Sequence, residues 1–172
     1  DSIVRGTTLK TSILKILGRL KPKKIIVVSS APQILFPDCY GIDMSRLKDF
    51  VAFRALLELL KDNKLEHKLN ETYELCKIEM HKPSEEMVNR VIDLYKLFTT
   101  EQISKKIAEI VTPENFEPEV EIIFQTVEDL HIACPDNTGD WYFTGDFPTP
   151  GGNKITNRAF IYFMEKNNAR AY

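Results

Sequence analysis

The sequence predicts an α/β fold with a parallel sheet, and three observations point to it. From Thr7 to Leu20, apolar residues at Leu9, Ile13, Leu14, Ile16, Leu17 and Leu20 recur with a helical period, and Pro22 prevents continuation. Ile25-Ile26-Val27-Val28 follows, a β-branched run too short for a core helix and apolar on both faces, as a strand buried in a parallel sheet is. Val120 to Phe124 then predicts a second strand and Thr126 to Ala133 the helix after it, which restores the alternation of strand and helix.

The remaining elements follow in order. Ser29 to Asp43 contains Pro32, Pro37 and Gly41 and predicts an irregular loop leaving the carboxyl end of the first strand, where α/β sheets tend to bind ligands. Ser45 is placed to cap a helix running to about Lys61, with Leu47, Phe50, Val51, Leu56, Leu57 and Leu60 apolar. Further helices are predicted from Lys64 to Glu79, Pro83 to Leu97 and Thr100 to Val111, the last starting on Thr100 and Glu101. Leu65, Leu69, Tyr73, Cys76 and Met80 form a spaced stripe, read as core rather than interface. Pro135 to Gly139 signals a turn, and Pro148, Pro150, Gly151 and Gly152 a longer loop. A final helix carries Ile155, Ala159, Phe160 and Phe163 and ends before Asn167-Asn168. The chain divides into a first part, 1–53, a helical insertion, 54–98, and an α/β return with a terminal helix, 99–172.

Composition narrows the class. With 43% apolar residues in 172, the chain can bury a sizeable core. A formal net charge of -2 supplies no global attraction to nucleic acid or to an anionic membrane, so neither is an expected partner. Cys39, Cys76 and Cys134 are odd in number and lack Cys-x-x-Cys spacing, which argues against a disulfide framework or a thiolate metal site and fits a reducing compartment. No apolar run approaches the roughly 20 residues of a bilayer-spanning helix, and no signal-peptide pattern is present. A cytoplasmic protein is expected.

The chain opens Asp1-Ser2-Ile3-Val4-Arg5-Gly6-Thr7-Thr8 directly before its first helix. Gly6 lets backbone approach an anion closely, and Thr7 and Thr8 set hydroxyls beside the unpaired amides and positive dipole end of that helix. Asp1 is the oxygen donor at the rim, suited to ribose hydroxyls or a divalent cation. A plain N-cap preceded by a turn uses the same residue types, and the chemistry alone leaves both open.

The wording is more specific than the chemistry. Asp1 to Thr8 resembles the phosphoribosyl pyrophosphate (PRPP) loop of the amidophosphoribosyltransferase family. Tyr40-Gly41-Ile42-Asp43-Met44 is similar to a second segment of that family, and Phe143-Thr144-Gly145-Asp146-Phe147-Pro148-Thr149-Pro150 to a third, in the same order. The resemblance implies a partial type I phosphoribosyltransferase-like sheet. It further implies transfer of glutamine-derived ammonia to PRPP, giving 5-phosphoribosylamine, pyrophosphate and glutamate in the first step of purine biosynthesis. Asp1, Ser2, Ile3, Val4, Arg5, Gly6, Thr7 and Thr8 become substrate-binding residues, Asp1 also a ligand for Mg2+, and none need act as a covalent nucleophile. A non-catalytic module that binds purine nucleotides or phosphoribosyl groups is the alternative.

The same resemblance implies that the chain is the C-terminal part of a longer glutamine amidotransferase. A strand ending in an acidic residue is expected before Asp1, and a glutaminase domain with an N-terminal cysteine elsewhere in the parent, so the piece alone is expected to be inactive. A homo-oligomer is expected. Some members carry an iron-sulfur cluster with a cysteine pair before the third segment. Here that approach reads Asp136-Asn137-Thr138-Gly139-Asp140-Trp141-Tyr142, so no cluster is expected. Glu58 to Phe98 departs from the family pattern as inserted helical material. Asp43 is read as a cap as readily as a ligand contact, His131 and Cys134 as a weak metal pair, and Trp141-Tyr142-Phe143 as a structural anchor. His67 and His81 are read as surface residues.

Overall fold

The chain enters on a helix that is π-helical over Leu9–Ile13 and α-helical over Leu14–Gly18 (α1), then forms a strand, Lys24–Ser29 (β1). The computed structural model describes residues 3–39, 44–136 and 139–171. A long connection carries α2 (Val51–Asp62), α3 (His67–Glu79), α4 (Ile92–Tyr95) and α5 (Thr100–Val111), and β2 (Glu119–Phe124) follows. Three further helices complete the described part: α6 (Val127–Ala133), α7 (Trp141–Thr144) and α8 (Pro150–Met164). β1 and β2 pair in parallel, in register from Lys24 opposite Glu119 to Ser29 opposite Phe124. The architecture is α/β with a two-stranded parallel sheet among the described residues. None of the described helices is long and apolar enough to cross a membrane.

Both strands present one face to the core. Ile25, Ser29, Ile122 and Phe124 are buried, whereas Ile26, Val28 and Ile123 are exposed by 54%, 71% and 45%. The β1 sequence predicts burial on both faces; no described element covers the second one, so only half of that expectation is met.

α2 is the central helix, with Val51, Ala52, Phe53, Ala55, Leu56, Leu59 and Leu60 buried. Phe53 meets Phe160 and Phe163 of α8 edge-on, at centroid distances of 6.2 and 4.9 Å. Its start corrects the expectation at Ser45. That residue is buried and caps nothing; a short 3-10 turn, Leu47–Asp49, intervenes, and α2 begins after the extended Phe50. The amide of Val51 donates instead to Val4 O at 2.8 Å, so a distant backbone carbonyl serves where a cap would.

Four of the five residues of the stripe along α3 pack as predicted, and Met80 is half-buried outside that cluster. Cys76 is fully buried, and Leu65, Leu69 and Tyr73 lie against the same core, with α3 set alongside α8. The Tyr73 hydroxyl donates to Glu165 Oε1 at 2.9 Å, which ties the middle of α3 to the C-terminal end of α8.

The predicted helix from Pro83 to Leu97 does not form. The structure holds a 3-10 turn at Ser84–Glu86 and the single turn of α4, joined by an irregular stretch. Polar side chains capture the backbone there. Val88 N donates to Glu79 Oε2 (3.1 Å), Arg90 N to Asn157 Oδ1 (3.1 Å), and Asn157 Nδ2 and Asn153 Nδ2 donate to Val88 O (2.8 Å) and Met87 O (2.9 Å). These bonds replace a helical ladder, because they satisfy the same groups while seating Met87 and Val91 in the core.

α5 forms over the predicted span, capped one residue earlier than expected. Thr99 accepts from Gln102 N at 3.2 Å and Gln102 Oε1 accepts from Thr99 N at 2.8 Å, a reciprocal capping box. Thr99→Ala removes one of the two bonds, and thermal or urea unfolding is expected to show a loss of about 1 kcal/mol. Thr126 caps α6 by accepting from Asp129 N at 3.0 Å.

The last correction concerns Pro150-Gly151-Gly152. The sequence predicts a loop, and the structure makes these residues the first turn of α8, with Pro150 at its entry. Gly152 is needed there because a Cβ would lie 2.1 Å from Cγ of Phe147. Phe147 in turn meets Phe36 edge-on at 6.4 Å. The Phe143 to Pro150 segment thus closes α7, crosses the core edge and starts α8.

Candidate functional site

The opening loop lies against the N-terminal end of α2 and the C-terminal end of α5. Asp1 and Ser2 lie outside the described residues, and so do Tyr40 to Asp43 of the second resembling segment. Ile3, Val4, Arg5, Gly6, Thr7 and Thr8 border one open hollow of about 860 Å³, together with Leu9, Ile13, Val27, Val28 and Met44. Val27 and Val28 bring the carboxyl-terminal half of β1 to this hollow, and Met44 brings the end of the loop that leaves it.

Gly6 makes the turn. Its φ is +69°, and a Cβ would stand 2.7 Å from Val111 Cγ1 and 3.3 Å from Val51 Cγ2. Glycine therefore meets two demands at once: a left-handed backbone and close contact with two buried valines. The helix begins at Thr7, and Thr7 and Thr8 are both exposed.

Four successive carbonyls of the loop are tied down. Val4 O accepts from Val51 N at 2.8 Å, Arg5 O from Nη2 of Arg54, Gly6 O from Lys10 N at 3.0 Å, and Thr7 O from the Thr11 hydroxyl at 2.8 Å. A trans peptide is planar and its N–H points opposite to its C=O. Drawing the Arg5 carbonyl toward α2 therefore turns the Gly6 amide away from α2. Val4 O and Arg5 O are thus held toward α2, while Gly6 O and Thr7 O bond along the helix they start, and the loop borders open space on its other side, an arrangement that suits an anion-binding backbone.

The rim residues include no carboxylate, and among the described residues no group of three or more His, Cys, Asp or Glu side chains is arranged to hold a metal ion. The described part of the hollow does not fit a protein-held cation. The residue expected to supply one, Asp1, is outside it.

The aromatic segment is a brace for the neighbouring loop. Leu35 N and Phe36 N both donate to Tyr142 O, at 2.9 and 3.1 Å, and the Tyr142 hydroxyl donates to Asp38 Oδ1 at 3.1 Å. Burial is the main cause that raises the Tyr142 phenol above its ordinary pKa. His131 does not join Cys134 in a metal cluster; its Nε2 lies 2.9 Å from Asp140 Oδ2, a pair that links α6 to α7. His81 is exposed, and His67 lies on an exposed turn of α3 beside Glu71 at 4.0 Å. Cys39 is half-buried and Cys134 exposed. Burial pushes the Cys76 thiol up to about 12, with Arg90 opposing and Glu79 adding, so Cys76 is a packing residue at neutral pH.

Two residues of this site escape a motif-based reading: Val51 and Arg54, which hold the loop from behind. The available signal was small. Arg54 is the one charged residue among Val51 to Leu57, on a helix whose other positions there are apolar.

Fold and loop together define an α/β protein with a glycine-turned loop at a helix start, opening beside the end of a parallel strand. The sequence shares a segment with the amidophosphoribosyltransferases. It is 44% identical over 52 residues to the enzyme of that name from Escherichia coli, covering 30% of this chain and 10% of the relative. For Pasteurella multocida the identity is 43% over 53 residues (31% and 10%), and for Staphylococcus aureus 39% over 62 residues (36% and 12%). The shared segment thus spans about a third of this chain and about a tenth of the length of these relatives. No family model matches the chain, and no solved structure does so significantly.

Proposed function

We propose that this chain is the C-terminal part of an amidophosphoribosyltransferase, contributing the PRPP loop and an adjoining layer of a type I phosphoribosyltransferase-like sheet to a longer enzyme. The observation that carries this reading is the loop's geometry. Carbonyls of Val4, Arg5, Gly6 and Thr7 are bound to protein, while residues 3–8 border an open hollow large enough for a sugar phosphate. The segment shared with enzymes named amidophosphoribosyltransferase supports the same assignment.

In this reading Ser2 to Thr8 receive the 5'-phosphate of PRPP through backbone amides and the Thr7 and Thr8 hydroxyls, and Asp1 engages the ribose hydroxyls. Asp1 would be the residue to hold Mg2+, which would offset the charge of the pyrophosphate. Catalysis at this half-site is positioning: the loop holds the ribose so that ammonia reaches C1 and pyrophosphate departs. The parent belongs to the cytoplasm and assembles from identical subunits.

The test uses the full-length protein that carries this chain, given PRPP, Mg2+ and either ammonia or glutamine. Pyrophosphate release with both nitrogen donors is the expected result. Binding of purine nucleotides without pyrophosphate release would replace the enzyme by a sensing module.

A further inference from the structure

We infer that Arg54 is a positioning residue for the phosphate loop, acting from the protein side through the Arg5 carbonyl; this rests on the phosphoribosyl assignment above. Arg54 sits on the first turn of α2, one turn beyond Val51. The two residues grip adjacent peptides: Val51 N takes Val4 O at 2.8 Å, and Arg54 Nη2 takes Arg5 O. Both bonds run between the loop and α2, and together they set which way the peptides at the rim of the hollow face.

The reason is peptide planarity. With the Arg5 carbonyl held by the guanidinium, the Gly6 N–H is directed to the opposite side, and rotating it back requires breaking that bond. Gly6 has a left-handed φ and no side chain, so its own torsions resist such a rotation less than those of any other residue. The weakest point of the loop is therefore the point that Arg54 clamps. A planar guanidinium suits this better than an ammonium, because its donors keep fixed directions.

The placement of Arg54 is also costly. The residue is half-buried, and its Nε is buried without a hydrogen-bond partner among the described residues. Such an orphaned donor is uncommon in folded proteins and calls for a compensating role. Holding a cation directly behind an anion-binding loop supplies one.

The experiment is steady-state pyrophosphate release by the full-length protein, with thermal unfolding recorded for each variant. Arg54→Met is expected to raise KM for PRPP by about tenfold or more, the scale of losing a charge-assisted hydrogen bond, while KM for ammonia stays at the wild-type value. Arg54→Lys, which keeps the charge without the fixed fork, is expected to fall between the two. A folded Arg54→Met protein with wild-type KM for PRPP overturns the inference, and so does a variant that loses only thermal stability. If Arg54→Met fails to fold, Arg54→Lys carries the test under the same criterion: unchanged KM for PRPP overturns the role. Absence of pyrophosphate release from the wild-type protein overturns the phosphoribosyl assignment itself, and this inference with it.

Discussion

Replacing Glu79 by alanine is expected to lower folding stability by about 3 kcal/mol, readable as a drop in the unfolding midpoint. The carboxylate is 1% exposed and makes four contacts: Lys82 Nζ at 2.8 Å, Arg90 Nε at 2.8 Å and Nη2 at 2.5 Å, and Val88 N at 3.1 Å. Removing it strands two cations and frees the irregular stretch around Val88. Both cations retain some solvent, 34% for Lys82 and 30% for Arg90, which keeps the loss near the lower end of the range for broken buried pairs.

The same carboxylate predicts a pH signature. Burial pushes its pKa upward, but Lys82, Arg90 and the Val88 amide together pull harder, and the net position is below the ordinary 4.5. A carboxyl depressed in the folded state contributes stability that is fully present above its unfolded pKa and disappears as pH falls through the folded value. Glu79→Gln retains the shape without the charge. The stability gap between wild type and Glu79→Gln is therefore expected to be constant from neutrality down to the ordinary carboxyl range and to close as pH falls from there through the lower folded-state value. A gap that stays open in acid would show that packing, not charge, makes Glu79 matter.

Gly6→Ala is the second large effect, and it joins stability to the site. The added methyl must reside 2.7 Å from Val111 Cγ1 with φ at +69°. Left-handed backbone costs an L-residue about 1 to 2 kcal/mol, and the overlap with a fully packed valine costs about as much again, so a loss near 3 kcal/mol is expected. The two parts are separable. Val111→Ala in the Gly6→Ala background relieves the overlap and leaves the torsional cost, so a double-mutant cycle is expected to show coupling of about 1 to 2 kcal/mol. Fully additive effects would mean that Val111 does not constrain the turn.

The two sites show why parts of this chain were legible and parts were not. β1, α5, β2 and α6 follow from local information: a β-branched run, a helical apolar period and capping side chains within three residues of the helix start. The turn at Gly6 was equally visible, since glycine before paired threonines and a helix has few alternatives. Arg54 was not, because its role depends on α2 arriving beside a loop some fifty positions earlier in the chain.

Residues 83–97 make the contrast sharpest. Their sequence accommodates a helix, with Pro83 suited to a first turn and apolar residues suitably spaced. Glu79, Asn153 and Asn157 instead take the backbone bonds of Met87 to Arg90, and those three side chains come from α3 and α8. Ser45 and Pro150-Gly151-Gly152 repeat the lesson: Val4 O takes the place of a cap on α2, and the Phe147 ring packs onto the glycine in the first turn of α8. Sequence by itself therefore determined the strands, the periodic helices and the loop that carries the proposed chemistry, each a matter of neighbours within one or two turns. Tertiary structure alone decided which backbone groups are captured from afar, because hydrogen bonds between distant segments exist only once packing has brought their partners within reach.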